Sequence, residues 1–346
     1  QTKLSTQWSE REKLRGKGQF WTPPWVADAM VAYVAQDATE IFDPGVGTGA
    51  FYAALKARGK GIPFYGIDVD AEVLKEGRTV GMLDDRCVLE VRDFILDPPR
   101  RLFRGIVANP PYVRHHRLSL EMKQKFREIS ARAIGSTLDG RAGLHVYFLV
   151  QALQLLARGG RLAFIVPADT FEGVFAVKLW SWIAKKFCID GVVTFDRDAT
   201  PFPGVDTNAI IVLIRNVNPK RAIRYVHCRV PGSRALAGAL VGESTVMSGG
   251  EIVTRNRDLA EALAVGLSRP PMERTGRMCT LGDFARVMRG VVTGANEFFF
   301  LTHARARELG IPDRFLRQAV GRTRDVDGDE ISHATLVALE RKGRPT

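Results

Sequence analysis

Short apolar runs alternate with segments of helical apolar spacing between Glu40 and Ile214. Apolar residues recur every second position in a half-buried strand and every third or fourth in a helix. The alternation predicts an α/β fold in which helices cover both faces of a largely parallel sheet. The seven predicted strands are Glu40–Asp43, Pro63–Asp68, Cys87–Val91, Gly105–Ala108, Arg161–Val166, Gly191–Phe195 and Asn208–Ile214.

Helices are predicted between these strands at 49–58, 70–80 and 144–157. A further helix is predicted to open at Thr22, which can cap it, with Pro23 and Pro24 in the first turn. After Ile214 the periodicity weakens, so we predict one domain over residues 1–218 and a second over residues 219–346. Because the sequence stops abruptly at Thr346, we expect the second domain to be incomplete.

Charge and composition favour a nucleic-acid-binding protein and argue against a membrane-spanning or disulfide-rich one. The formal net charge is +12, and residues 215–346 carry more of it than the longer stretch before them. Only Lys220 and Lys342 are lysines there, and arginine suits phosphates and guanine edges. An arginine-rich genome explains the same bias. No apolar run approaches the roughly 20 residues that span a bilayer, and no apolar leader is present, which predicts a cytoplasmic protein. The widely spaced cysteines predict neither a zinc site nor a disulfide framework.

A glycine-rich turn follows the first strand. Asp43 ends that strand, and Gly45, Gly47 and Gly49 lead into a helix. Glycines let a ligand approach the backbone, and a helix N-terminus favours negative groups. The loop also fits a dinucleotide pattern, because Asp68 lies where a ribose-binding acid is expected. A nicotinamide cofactor and a purely structural turn both stay open at this point.

Acidic residues also follow the next two strands. Asp68 is placed to take both ribose hydroxyls, since ligands of open α/β sheets bind at the carboxyl ends of the strands. Asp93 can accept a hydrogen bond from an adenine amino group while Phe94 flanks the ring. The alternative is that these acidic residues are simply solvent-exposed side chains at strand ends. Three successive strands that each end in an acidic residue favour a nucleotide site.

The fourth strand runs into Asn109-Pro110-Pro111-Tyr112. An amino group conjugated to a ring is a poor nucleophile because its lone pair is delocalised. The side-chain oxygen of Asn109 and the carbonyl of Pro110 can accept from both N–H groups and draw the nitrogen towards tetrahedral geometry. Tyr112 can stack on the planar group. The turn therefore predicts methyl transfer to a conjugated amine, with an ordinary surface turn as the alternative.

These motifs resemble the N6-adenine DNA methyltransferases of the gamma motif order, the Eco57I- and TaqI-like amino-methyltransferases. The resemblance covers roughly residues 18–215 and, more weakly, 280–300. It implies a Rossmann-like, mixed seven-stranded sheet followed by a C-terminal DNA target-recognition region. It also implies S-adenosylmethionine as the cofactor and an adenine flipped out of double-stranded DNA.

The resemblance also implies roles for single residues. Thr22, Asp43, Gly45 and Gly47 would hold the methionine part of the cofactor. Asp68 with Val69 would hold the ribose, Asp93 with Phe94 the adenine, and Asn109 and Phe148 would complete the pocket. Phe202 would stack on the target adenine opposite Tyr112. The sequence departs from the family at Val46, Gly143 and His145, which is expected to be a half-buried helix residue.

Two kinds of alternative function stay open: methylation of another substrate by the same fold, and DNA binding without catalysis. Asn-Pro-Pro-Tyr also suits methylation of ribosomal RNA guanine or of protein glutamine, and a DNA-specificity subunit would lack chemistry of its own. Neighbouring His115 and His116 point apart, so they are interpreted as a DNA-facing loop and not as a metal site. We expect a monomer that acts on double-stranded DNA in restriction–modification or related defence. A cognate restriction endonuclease is the expected partner, and whether it is fused or separate stays open.

Overall fold

The computed structural model describes residues 21–203, 208–242, 250–269, 284–286, 296–320 and 331–345. The chain divides into two compact units, residues 1–273 and 274–346. Parts of the region that carries the family resemblance lie outside the described residues, namely residues 18–20, residues 204–207 and most of the segment 280–300, as does Cys279, one of the four widely spaced cysteines.

The first unit is built around a nine-stranded sheet with the order β3-β2-β1-β4-β5-β7-β6-β8-β9. The strands are β1 Ile41–Asp43, β2 Phe64–Asp68, β3 Cys87–Val91, β4 Phe103–Ala108, β5 Leu156–Pro167, β6 Cys188–Phe195, β7 Ala209–Arg215, β8 Ala222–Cys228 and β9 Ile252–Asp258. The helices of this unit are α1 Pro24–Val34, α2 Ala50–Ala57, α3 Ala71–Thr79, α4 Leu120–Ile134, α5 Leu144–Leu155, α6 Asp169–Glu172, α7 Ala176–Lys186, α8 Ala235–Val241 and α9 Leu259–Val265.

Strand direction changes once the sheet passes β5. Strands β3, β2, β1, β4 and β5 are all parallel to one another. Strand β7 then pairs antiparallel with both β5 and β6, β8 pairs parallel with β6, and β9 closes the edge antiparallel to β8. The sheet is therefore mixed, and its parallel part contains the strand ends at which the sequence predicted a ligand.

Both faces of the sheet are covered, which explains the continuous apolar strands. Successive residues of a strand point to opposite faces, and Phe42 packs in one core cluster while Ile41 packs in the other. Helices α4, α5 and α7 contribute to the first cluster, and α1, α2 and α8 to the second. This arrangement confirms the predicted α/β class with helices on both faces.

The predicted count of seven strands is wrong, because β8 and β9 extend the same sheet. Both lie beyond residue 218, where the sequence placed a domain boundary. Arginines such as Arg224 and Arg257 interrupt their apolar pattern, yet Ile223, Tyr225 and Val226 are buried. The assignment of a target-recognition role to residues 219–346 stays a prediction.

Thr22 does not cap the first helix, contrary to expectation. Helix α1 begins at Pro24, its N-cap is Pro23 in an extended conformation, and no side chain bonds the first turn. A helix that begins with proline has one fewer free N–H to satisfy, so a capping hydroxyl is less needed. The Thr22 hydroxyl is used elsewhere, at the site described below.

The described part of the second unit consists of short helices, α10 Asn296–Phe299, α11 His303–Glu308 and α12 His333–Arg341. Ser332 and Thr335 form a reciprocal capping box that begins α12. The backbone N–H of His303 donates to Glu340 Oε1 at 2.6 Å, which ties α11 to α12. Among the described helices of the chain, none is long and apolar enough to cross a membrane.

Candidate active site

The predicted site residues follow parallel strands that end at one edge of the sheet. Asp43 ends β1 and Asp68 ends β2, whereas Asn109 directly follows β4. Strand β1 pairs parallel with both β2 and β4, so these three positions are neighbours. Ligands of open α/β sheets bind at this edge.

Two carboxylates fix the glycine-rich turn. Asp43 Oδ1 accepts from the backbone N–H of Gly45 at 3.0 Å, and Asp68 Oδ2 accepts from that of Gly47 at 2.8 Å. Gly47 and Gly49 have φ values of 54° and 96°, a region that side-chain-bearing residues rarely adopt. The acids therefore organise the loop itself, a role that the sequence analysis did not assign to them.

Burial gives Asp43 unusual electrostatics. The residue is fully buried, and its Oδ2 has no hydrogen-bond partner among the described residues. Burial, together with nearby Asp68, raises the pKa of Asp43 to about 8, against the usual 3.8. Burial also raises the pKa of Asp68. An unpartnered buried carboxyl oxygen is costly, so this corner of the site is suited to a cationic or hydrogen-bond-donating group.

Asp93 and Phe94 follow β3. Asp93 Oδ1 accepts from the backbone N–H groups of Ile95 and Leu96 at 2.8 and 3.0 Å. Phe94 is only 2% exposed and packs against Phe42 and Phe148, with ring centroids 5.8 and 5.1 Å apart. Phe94 therefore belongs mainly to the core, although it also lines the cavity described next.

These elements enclose a cavity of about 640 Å³. Ligand sites commonly fall in the range of about 300–1,000 Å³. The predicted residues that line the cavity are Gly45, Gly47, Asp68, Val69, Asp93, Phe94, Asn109, Pro111 and Phe148. The predicted residues outside its lining are Thr22, Asp43, Pro110, Tyr112 and Phe202.

Sequence reasoning missed several lining residues. Trp21, for example, is 51% exposed despite its size, and it directly precedes Thr22. Val69, which was predicted, is 70% exposed, as expected of an apolar side chain that a ligand would cover. The missed residues are Trp21, Pro44, Asp70, Val73, Glu76, Arg92, Ile95, Val113, Met122 and Leu144.

The Asn-Pro-Pro-Tyr turn is held from two sides. Asn109 Nδ2 donates to Thr22 Oγ1 at 3.1 Å, so the side-chain oxygen lies on the opposite branch of the amide. Tyr112 donates its hydroxyl proton to the backbone oxygen of Ile165 on β5 at 3.1 Å. Burial raises the pKa of Tyr112, so the phenol stays neutral. Both side chains thus have defined orientations, as a turn that positions a substrate requires.

The rings of Tyr112 and Phe202 are close but not parallel. Their centroids are 6.4 Å apart and their planes meet at 79°. A base between two stacking rings needs parallel planes about 7 Å apart, which is two stacking distances of about 3.4 Å. Phe202 is also only 4% exposed. A stacking role for this pair stays a prediction and requires one ring to turn.

His145 is fully packed in the first turn of α5 and not half-buried as expected, since it is 8% exposed. His115 and His116 lie in one short 3-10 turn with ring centroids 5.5 Å apart. Within the described ranges, no three His, Cys, Asp or Glu residues are grouped closely enough to hold a metal ion.

Two family models match the chain. The Eco57I restriction-modification methylase family matches residues 93–202, which include the Asn-Pro-Pro-Tyr turn and Phe202. The C-terminal domain of the type II methyltransferase M.Eco57I matches residues 271–346.

Curated relatives are type II methyltransferases. The chain is 26% identical over 320 residues to M.XamI of Xanthomonas campestris pv. amaranthicola, and 21% identical over 311 residues to M.AccI of Acinetobacter calcoaceticus. Each match covers 89% of this chain and 57% of the relative, so the chain spans little more than half the length of these relatives.

The fold recurs in solved structures. The type IIG restriction endonuclease BpuSI matches with a TM-score of 0.58 and 18% identity, over 73% of this chain and 33% of that one.

Proposed function

Because the chain is related to the Eco57I-type restriction–modification methylases, we propose that it is a site-specific DNA methyltransferase. The reaction moves a methyl group from S-adenosylmethionine to N6 of an adenine flipped out of the duplex. One observation carries the proposal. Asn109, directly after β4, lines the same cavity as the glycine-rich turn and Asp68. A turn that activates an amine and a loop that accepts a nucleotide thus face one space.

The residues around the cavity fit S-adenosylmethionine. Asp43 lies behind the lining residues Gly45 and Gly47, and its Oδ2, which has no partner among the described residues, suits the positive amino group of the methionine part. Asp68 would accept from the ribose hydroxyls, and exposed Val69 would be covered by the nucleoside. Further residues proposed to contact the cofactor are Thr22, Asp93, Phe94, Asn109 and Phe148.

The chain's own residues prepare the amine. Asn109 Oδ1 and the Pro110 carbonyl accept from the two N–H groups of the adenine, which makes its lone pair available. Pro111 keeps the turn rigid, and Tyr112, anchored to Ile165, supports the planar base. When bound, S-adenosylmethionine supplies a methyl carbon on a positively charged sulfur, which departs as a neutral thioether. The new N–C bond leaves an acidic proton on nitrogen, which passes to water, so no strong base is required.

The remaining assignments follow from the same proposal. Residues 1–218 would form the methyltransferase domain, and residues 219–346 would recognise the DNA target, since a type II methyltransferase C-terminal domain matches 271–346. Double-stranded DNA is the proposed substrate, and the basic excess of the chain suits its phosphates. We propose a cytoplasmic monomer that works in restriction–modification together with a cognate restriction endonuclease.

Transfer of labelled methyl groups to plasmid DNA tests the proposal. We expect Asn109→Ala and Tyr112→Ala each to lower the rate by about 100-fold or more, as does the loss of one positioned group that stabilises a transition state. Val177→Ala, at an exposed position of α7 outside the cavity lining, is the matched control and keeps full activity. Full activity in both turn variants would refute the mechanism.

Sequencing that detects methylated bases, on DNA from cells that express the protein, reports the modified base and its context. N6-methyladenine at one recurring sequence is the expected result. Methyl groups found instead on ribosomal RNA or on protein would replace the proposed substrate with one of the alternatives.

A further inference from the structure

His145 lies beside the Asn-Pro-Pro-Tyr turn. It is the second residue of α5, and the backbone N–H of Leu144 before it donates to the carbonyl of Val113 at 3.0 Å. The imidazole meets the ring of Tyr112 edge-on, with centroids 5.9 Å apart and planes at 73°. Val113 and Leu144, which adjoin the two rings in sequence, both line the cavity. The imidazole therefore lies beside the turn and directly behind residues that line the cavity, although it is not itself part of the lining.

The hydrogen-bonding groups of His145 are not used within the described protein. The side chain is 8% exposed, and among the described residues neither Nδ1 nor Nε2 has a hydrogen-bond partner. Burial lowers the pKa of His145 to about 4, so the ring is neutral and carries one N–H donor and one acceptor. Burying both without partners is unfavourable, so packing alone does not account for a histidine here.

The neighbouring backbone fixes the ring closely. A Cβ at Gly143 would lie 2.8 Å from Cε1 and 3.0 Å from Nδ1 of His145, and 2.9 Å from the carbonyl oxygen of Val113. Only a residue without a side chain leaves this space. Gly143 therefore packs closely against the imidazole, which has no hydrogen-bond partner in the part of the chain that the structure describes.

We propose that His145 is a base-recognition residue, which donates its N–H to a ring nitrogen of the extruded adenine. This inference rests on the proposed function. Asn109 and Pro110 would use both amino hydrogens of the adenine, so the polar atoms left beside that amino group are the acceptors N1 and N7. A neutral donor next to Tyr112 is suited to one of these acceptors. The contact would make a base that presents a donor or a carbon atom there a poorer substrate.

Duplexes with a single altered adenine at the target position test the contact. The two analogues are 7-deaza-adenine and 1-deaza-adenine, which replace N7 or N1 by carbon and keep the amino group. We expect the wild-type protein to show kcat/KM about tenfold lower on one of them, the size of one neutral hydrogen bond. For His145→Phe, kcat/KM on the adenine duplex should be about tenfold lower than that of the wild type. Replacing adenine by that same analogue should then lower kcat/KM of the variant no further. His145→Gln keeps an N–H donor and should recover part of the loss.

Gln151→Leu is the matched control, because Gln151 is a buried polar residue two turns further along α5. It should keep the wild-type response to both analogues. The same discrimination in His145→Phe as in the wild type, or no discrimination in the wild type, would overturn the proposal. Failure of the wild type to methylate the adenine duplex would instead remove the proposed function on which it rests.

Discussion

The two sides of the cavity differ in how far they are prepared for a ligand. On the acidic side, each carboxylate accepts from a backbone N–H at distances of 2.8–3.0 Å, Asp43 and Asp93 within the loop that follows them and Asp68 from Gly47 of the glycine-rich turn. On the aromatic side, the rings meet edge-on and one of them has unpartnered polar atoms among the described residues. The acidic side comprises Asp68 and Asp93 of the lining together with Asp43 behind it, and the aromatic side comprises Tyr112, His145 and Phe202, which pack behind the lining residues Asn109, Val113 and Leu144.

This difference indicates two kinds of binding. A preformed site loses little conformational freedom when its ligand arrives. The acidic side should therefore take the cofactor without rearrangement, whereas the aromatic side must reorient before a base can stack. If only the aromatic side rearranges, its rings would reach a stacking orientation only when DNA binds.

The first prediction concerns the pH dependence of stability that Asp43 produces. Its pKa is raised to about 8 in the folded protein, so the folded state holds this proton more tightly than the unfolded chain does. The stabilisation of the folded state by protonated Asp43 is complete below about pH 4 and is lost as the pH rises through 8. Relative to Asp43→Asn, the free energy of unfolding should fall by up to about 1.4 kcal/mol per pH unit between pH 5 and 8.

Urea unfolding of the cofactor-free protein at several pH values measures this slope. Asparagine keeps an oxygen for the N–H of Gly45, so the variant preserves the turn. Saturating S-adenosylmethionine should flatten the wild-type slope, because a positive group beside Asp43 favours its ionised form. Parallel curves for the two proteins would show that Asp43 is not strained by burial, and the acidic side would lose its proposed cation site.

The second prediction separates cofactor binding from base binding. Asp68→Ala removes the acceptor for the N–H of Gly47 and the proposed ribose contact. Bonds to a charged acceptor are worth about 1.5–3 kcal/mol each, so the affinity for S-adenosylmethionine should fall about 100-fold. Calorimetry measures that loss. The fluorescence of 2-aminopurine at the target position, a measure of base extrusion, should be unchanged, and an equal loss in both would mean that the two sides act as one.

The third prediction concerns packing under the glycine-rich turn. A Cβ at Gly66 of β2 would lie 2.1 Å from Cγ2 of Val46, whose backbone N–H donates to Ile67 of the same strand. Gly66→Ala should destabilise the fold by about 1–3 kcal/mol through overpacking. Val46→Ala in the same protein should restore most of the thermal stability. If the double variant is no more stable than Gly66→Ala, the two side chains do not compete for this space.

The Val46–Gly66 pair also shows why some features could be predicted from sequence and others could not. Val46 stood out as a departure from the family, but only the structure shows that Gly66, on the neighbouring strand β2, makes room for it. The strand Cys87–Val91 was predicted to the residue because turn residues bound its apolar run. By contrast, α4 and α7 were missed, since charged residues dilute the helical spacing of Phe126 and Ile129 or of Leu179 and Ile183.

At the site, strand ends were predictable and ring orientations were not. Asp43, Asp68 and Asn109 share one edge because parallel strands end together, which follows from the order of elements alone. The angle between Tyr112 and Phe202 depends on contacts between distant segments, so no local pattern encodes it. The burial of His145 is of the same kind, since it depends on Gly143 and on the turn after β4.

The smallest effect is expected at Phe202 on the aromatic side. Phe202 is 4% exposed, so Phe202→Ala would weaken the fold as well as any stack, whereas Phe202→Leu keeps most of the apolar volume. An aromatic contact adds about 0.5–1.5 kcal/mol beyond burial, so we expect kcat/KM for DNA to fall by roughly two- to tenfold. Affinity for S-adenosylmethionine should not change. If the ring turns to stack on the base, 2-aminopurine fluorescence will also differ between the two proteins. Identical fluorescence and kinetics would mean that Phe202 is a core residue, and that Tyr112 with His145 makes up the whole aromatic side.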